Sequence, residues 1–560
     1  MGSRISRSVR RSAIVIAAAA LLLPLASSAE QLVQTFALNG YKRVLDGQWQ
    51  GIRYASDGNV YFGSSTHSAH HGAAFFKYDS TTRQVTLLAE DLTTICGEDP
   101  QTNPQGKLHS DIVEAHGWLY MATHFSSELP GAYDTWTGSH VIGYELATGQ
   151  FRDYGVVHPN YTTYSAIGVD PARNYLYVFV TGQLPTQVSY LYRIHTVTGA
   201  KTNLGQVGTA FNASGWTFVD RRGDVWFSVL YSNGALRRVR ADTGQIDVYP
   251  NALPPMYRWD VEELASPSDQ ASRWIMWMQP LDGDRALFTL GYFGGMLYLF
   301  DASRPIGSGQ EFQPIKHIGF SDLGLAVGGG RVFYSQRANR GYGQQEARDF
   351  HLLSVSLDPG AGYPITDHGL LKDREGRVVW RLPGMATDGQ GRVFMIGDWW
   401  TIPGDLGTLR YRYSGGVETY DQLPRGEFFA IAEVDRGFYT VTPCRVADTR
   451  DPAGLYGGPA LVHGVERGFV IAGRCGVPST ATAVSLNVTV TEPTGAGHLA
   501  IYPTQGNPAP TSVLNFRAGQ TRANGGIFSL DGTGALHVNG QQTPSAGSLH
   551  VLVDVNGYFR

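Results

Sequence analysis

Charge is scarce in this chain: Asp, Glu, Lys and Arg make up 16% of its 560 residues, and the formal net charge is −4. That near balance excludes a nucleic-acid binder held by a broad basic surface. Cysteine is limited to three residues. Cys444 and Cys475 are close enough in one segment to pair, which leaves Cys96 alone. With no Cys or His at metal-ligand spacing, Cys96 reads as a buried bystander. Beyond the first thirty residues no run is apolar for long enough to span a bilayer. No Gly-rich phosphate loop opens a helix, and no G-x-S-x-G occurs in a strand–turn–helix setting, so nucleotide binding and serine-hydrolase chemistry lack support.

Glycine and aromatics are abundant instead, with 69 Gly, 29 Tyr, 25 Phe and 11 Trp. With so few charges, they point to many short strands joined by tight turns. At the start, Arg4, Arg7, Arg10 and Arg11 precede an apolar run from Ala13 to Leu25 and the small residues Ser27, Ser28 and Ala29. Residues 1–29 therefore read as a signal peptide, and the protein as secreted.

From about residue 48 to 415 one pattern recurs: a short apolar strand, a tight turn, and an aromatic-rich return. GIRYASDGNVYFGSS, SDIVEAHGWLYMATH, SAIGVDPARNYLYVFVT and SGWTFVDRRGDVWFSVL are its first four instances, and three more begin at residues 274, 320 and 384. Second hairpins such as IGYELATGQFRDYG lie between them. Four strands per roughly 50 residues, seven times over, predict an all-β seven-bladed β-propeller across residues 30–436. LVQTFALN, near the start, alternates well enough to supply the closing strand. After residue 436 the texture changes to Thr, Val, Ala and Gly runs such as AVSLNVTVTEP, which predict a small β-sandwich over 437–560.

In a propeller, the start of each blade's first strand and the end of its second share one face near the central channel. This places Trp49, Gln50, Thr66 and His67 from the first blade at one mouth, with His109 and His124 from the second and Tyr164 and Thr181 from the third. Tyr292, Gln336, Arg337, Asp398 and Trp399 follow from later blades. Channel mouths are the default ligand sites. The less specific readings are solvated loop histidines for His67, His70 and His71, and a surface ion pair for Arg337. His116, in a turn on the opposite face, reads as structural. His109 and His124 carry ligand chemistry for one metal ion, but no carboxylate cluster stands in register with them.

With the blades placed, DGQWQGIRYASDGNVYFGSSTHSAHHG, CGEDPQTNPQGKLHSDIVEAHGWLYMATH, GSHVIGYELATGQFRDYGVV and PNYTTYSAIGVDP together resemble a group of propeller enzymes. It is the group of polysaccharide lyase family 42 and glycoside hydrolase family 145. The resemblance spans roughly residues 40–415. It implies action on the L-rhamnose-α-1,4-D-glucuronate caps of a plant-type arabinogalactan, such as gum arabic, or a related uronate-containing glycan. It also implies β-elimination at the glucuronate, in which a cation neutralises the carboxylate and a His or Tyr removes the C5 proton. His109, His124, Tyr164 and Arg337 match those roles, with His67, Gln50, Arg258, Trp277 and Trp399 on the substrate side. No cofactor is required, and structural calcium is left open. Hydrolysis of the same linkage by paired carboxylates is the alternative, for which only Asp398, and less clearly Glu98 and Asp99, stand on this face. A non-catalytic carbohydrate-binding propeller is the third reading. FYTVTPCRVADTR and the ending DVNGYF resemble an accessory domain of exported bacterial proteins.

Overall fold

The computed structural model describes residues 30–560 except 39, 42–44, 127–130, 183–186, 210–215, 231, 292–293, 320–323, 338–349, 374, 390, 401–408, 415–416, 423–426, 435–437, 479–480, 507–510 and 560. For 30–32, 164–166, 337, 380, 400, 409–414, 417–422, 427–429 and 438–439 the backbone alone is described. The expected signal peptide, Tyr292, and the side chains of Tyr164 and Arg337 therefore lie outside the described residues. The chain divides into two compact units, 1–433 and 434–560.

The first unit is all-β and built on four-stranded antiparallel sheets. In the first, Ile52–Tyr54, Asn59–Ser64, Ala74–Asp79 and Gln84–Ala89 pair in chain order, the turn after Tyr54 being closed by Gly58 at a positive φ of 83°. The next four sheets repeat this order, beginning with Val113–Ala115, Thr162–Asp170, Thr217–Val219 and Ile275–Pro280. Two further sets of four, beginning at Leu325–Gly328 and Val378–Thr387, join at their edges into one eight-stranded sheet. Short strands with aromatics on alternate positions suit this arrangement, because each sheet buries both faces against its neighbours.

The apolar cores lie between successive sheets. Tyr61 and Phe75 pack with Leu119, Met121 and Ile142 across the first pair, and Leu176, Val178 and Val180 pack with Tyr120 and Val141 across the second. The series closes on itself, since Ile52, Val60 and Phe62 share a core with Phe394, Ile396 and Ile431. Beginning strands of all seven sets contribute to one cavity of about 420 Å³, through Ile52, Val113, Val169, Thr217, Trp277, Leu325 and Met385. The strand Glu30–Ala37 lies beside Glu427–Val434 at the outer edge of the last set and also pairs in parallel with Ile365–Asp373. The ends of the unit are thus tied into one sheet, with Thr35 Oγ1 donating to Asp373 Oδ2 at 3.0 Å.

The second unit holds a sheet of Phe438–Asp448, Ser548–Phe559, Ala483–Thr491 and Arg522–Ser529, with Leu461–Val462 paired at one end, and a second sheet of Glu466–Val470, Ala535–Thr543, Ala496–Tyr502 and Leu514–Phe516. Leu486, Val488 and Val553 of one and Phe469, Leu499 and Val538 of the other share a single core. Cys444 and Cys475 are joined as a disulfide, their Cα atoms 5.7 Å apart across a separation of 31 residues. Closing a loop of that length contributes roughly 3–4 kcal/mol through the unfolded chain. Residues 434–560 expressed alone should therefore unfold in one calorimetric transition, and reduction should lower their stability by about that amount. The first unit, whose one cysteine is buried and unbridged, should be unmoved by reductant.

Candidate functional site

Two loops carry the histidines to the same end of the second sheet. His109 precedes its first strand, and His124 follows Trp118–Ala122, the second. A bridge between Lys107 and His124 locks the two segments in register, and the imidazole centroids lie 5.2 Å apart. The neighbouring loop is held close through Gly106. Its carbonyl accepts from Thr66 N at 2.8 Å, and Ser126 Oγ donates to the Thr66 carbonyl at 2.7 Å. A methyl group at Gly106 would stand 1.7 Å from Ser126 Oγ, so glycine is what lets these strands approach.

His124 is buried, and its Nδ1 faces the Thr163 carbonyl and, at 2.7 Å, Thr162 Oγ1. A carbonyl only accepts, so the ring proton sits on Nδ1 and the lone pair on Nε2, the tautomer a general base needs. His109 stacks on the Trp49 indole, with centroids 5.1 Å apart and planes 15° from parallel. Burial, reinforced by nearby Lys107, pushes the His109 imidazole down to about 3. Burial, then His109 and Lys107, hold His124 well below the usual histidine range. Both rings are therefore neutral over the physiological range.

Cations rim the same indole. Lys107 Nζ lies 4.8 Å and the Arg381 guanidinium 4.5 Å from the Trp49 ring. Arg381 donates to the Gln48 carbonyl at 3.2 Å, and its Nε stands 3.1 Å from Asp398 Oδ2 as a charge contact, without the alignment of a hydrogen bond. Asp398 is buried. Asp46 takes the backbone N–H of His67 at 3.1 Å and sits 2.9 Å from its Nδ1. Gln48 is fully buried with neither amide atom hydrogen-bonded among the described residues, and the Nε1 of Trp49 and the Oε1 of Gln50 are in the same state. Three such groups in succession, the last of them lining the cavity, call for water or a ligand's polar atoms.

The structure thus brings together His67, His109 and His124 from the expected set, with Gln50 lining the channel. Tyr164 begins the right strand, Thr162–Asp170, and Arg337 ends Arg331–Arg337, with their side chains undescribed. Two expected substrate contacts, Arg258 and Trp399, sit elsewhere, while Trp277 lines the same cavity as Gln50. Arg258 is exposed and held by Asp260 at 2.6 Å and Glu263 at 3.8 Å, charges two and five residues along its own chain. Trp399 is fully buried, and Trp277 also packs between sheets with Leu287, Leu297 and Tyr334. Large aromatics at strand ends here serve the inter-sheet cores. Glu98 pairs with His140 at 3.0 Å. His116 lies in a turn at a φ of 52°, its Nε2 2.9 Å from the Pro171 carbonyl, as befits a structural residue. Lys107, Asp46, Gln48 and Arg381 were missed. Lys107 and Gln48 were readable, each two residues from a chosen position and so on the same side of an extended chain.

No family model matches the sequence, and no curated protein matches it. Among solved structures the chain is similar to an oligogalacturonate lyase in complex with manganese, with 9% identity over 72% of this chain and 97% of that one and a TM-score of 0.41. An oligogalacturonate lyase from Vibrio parahaemolyticus gives 11% identity over 73% and 98%, with a TM-score of 0.40. A chain of the mitotic checkpoint complex gives 9% over 70% and 96%, with a TM-score of 0.41. Among the described residues, no helix is long and apolar enough to cross a membrane.

The neutral histidines set a pH dependence. A histidine whose folded pKa is depressed contributes stability that is present above its unfolded value, near 6.5, and is lost as pH falls toward the folded value. His109→Gln should therefore remove up to about 1.4 kcal/mol per pH unit of acid destabilisation below pH ~6.5, read as a flatter plot of urea midpoint against pH than wild type.

Proposed function

We propose that the seven sets of strands are the blades of a seven-bladed β-propeller, that residues 437–560 form an accessory β-sandwich, and that the His109–His124 mouth is the active site of a secreted lyase. The substrate would be the L-rhamnose-α-1,4-D-glucuronate cap of an arabinogalactan, cleaved at the glucuronate. The observation that carries this reading is the pair of adjoining buried, neutral imidazoles, one of them stacked on an indole that also holds two cations. Elimination needs a base that is unprotonated before substrate arrives and positive charge where the carboxylate becomes an enolate. Arg381 and Lys107 supply the charge, in place of the Arg337 expected from sequence.

In the reaction, His124 Nε2 takes the C5 proton, electrons move into a C4–C5 double bond, and the C4–O4 bond breaks. The oxygen leaves with rhamnose and takes a proton, the neighbouring His109 standing within reach of the same site. Products are free rhamnose and a 4,5-unsaturated uronate, with no water added. Bringing an anionic uronate into the mouth offsets the repulsion from Lys107 and Arg381, so the histidines become more basic as the substrate seats. The carboxylates in the cluster are engaged, Asp46 with His67 and Asp398 with Arg381, which disfavours the opposed free pair of an ordinary glycosidase.

Incubation with gum-arabic-type arabinogalactan should release rhamnose and the ultraviolet absorbance of the unsaturated uronate in equal amounts. Rhamnose without absorbance would replace elimination with hydrolysis, and binding with neither product would make the mouth a lectin site. His124→Ala should lower kcat by at least ~10²-fold with the fold intact. Arg381→Ala should raise KM as well, because the carboxylate is held in ground and transition states alike. His116→Ala should leave both constants unchanged.

A further inference from the structure

Cys96, which reads from sequence as a bystander, is not isolated in the fold. Its thiol, a ring nitrogen of His140 and a carboxylate oxygen of Asp153 all lie within 4.8 Å of one another. Cys96 caps the short helix Leu92–Ile95, His140 opens the strand His140–Glu145, and Asp153 sits in the adjoining strand Phe151–Val156. The register of those strands slips between His140 and Ile142, and such a slip re-aims a side chain. His140 Nδ1 is 3.0 Å from Asp153 Oδ1, and on the far side its Nε2 is 3.0 Å from Glu98 Oε1. Glu98 is itself fixed, accepting from Thr137 Oγ1 at 2.6 Å.

We propose that Cys96, His140 and Asp153 ligate one zinc-class divalent ion, with Glu98 orienting the imidazole from behind and water as fourth ligand. Thiolate, imidazole and carboxylate together select zinc or a close relative over calcium and magnesium, which take oxygen ligands. Ligand atoms of a tetrahedral zinc stand roughly 3.3–3.6 Å apart, so the observed spread closes with side-chain shifts of about an ångström. A carboxylate behind the second nitrogen is the usual support for a metal-bound histidine. The surroundings favour a cation as well. Glu98 and Asp153, one on each ring nitrogen of His140, place negative charge beside the position a dication would take. On binding, the S–H bond breaks, its proton leaves to solvent, and the metal–sulfur bond takes its place. Cys96 and His140 are buried while Asp153 is exposed, giving the ion an entry side and the fourth position a water. The three ligands are distinct from the proposed lyase residues, and the inference does not depend on that reading.

Full-length protein, stripped with chelator and titrated with cobalt(II) chloride, should take up one equivalent and develop a thiolate-to-cobalt charge-transfer band. Zinc should displace it. Cys96→Ser should abolish the band, and Glu98→Gln should keep it while weakening cobalt affinity by about 10–100-fold. Should Cys96→Ser fail to fold, Asp153→Asn at the exposed side serves in its place and should weaken binding by at least as much as Glu98→Gln. Folded wild-type protein that shows no band, or variants that leave band and affinity unchanged, would overturn the proposal.

Discussion

Thr123 is the point on which the site is tied. Fully buried, it donates through Oγ1 to Gln105 Oε1 at 2.6 Å, receives the His140 N–H at 2.9 Å, and offers its carbonyl to Thr163 Oγ1 at 2.5 Å. Its neighbour in sequence is His124. The hydroxyl of one small residue therefore fixes the loop before the second sheet and the third strand of that sheet, and its backbone carbonyl holds the first strand of the next. A buried hydroxyl with all its partners in place rigidifies more than any one of its bonds suggests, because losing a partner leaves the others stranded in low dielectric. Thr163, which presents its carbonyl to the His124 imidazole, is held from this side by Thr123 and from the other by Ser139 Oγ.

The same network links two kinds of chemistry. On one side, burial makes His109 and His124 poor proton acceptors in the absence of an anion and places them next to fixed cations. On the other, His140 lies between Glu98 and Asp153, and both carboxylates raise its proton affinity against the opposing effect of burial. Histidines joined by one hydrogen-bond network are thus driven in opposite directions by what surrounds them, burial and cations in one case and carboxylates in the other.

Much of the fold was legible because it is local. A hairpin such as Ile52–Ser64 declares itself through alternation and its Gly58 turn within about a dozen residues, and its recurrence marks out successive four-strand sets. The approach of His109 to His124 was legible for the same reason, both being ends of adjacent strands. Arg381 was not. Its strand, Val378–Thr387, slips register on either side of Arg381, so the repeat appears in sequence to start only at Gly384. The full burial of Trp399 was not legible either, because strand-end position does not tell a residue turned toward the channel from one turned between sheets. The company of Cys96 was also hidden, since His140 is 44 positions away and arrives through an irregular pairing rather than a spaced motif.

The way the first unit is fastened has a consequence for its birth on the ribosome. The strand Glu30–Ala37 is made first, yet its neighbour Glu427–Val434 is among the last segments of the unit to emerge. Tyr78 likewise waits for Glu433, a bond of 2.6 Å across 355 positions. At roughly 5–20 residues per second of synthesis, the first strand spends on the order of 20–80 seconds without its mate. Successive sheets can pack on one another as they appear, but the ring stays open, with an unpaired edge at each end, until nearly the whole unit has been translated.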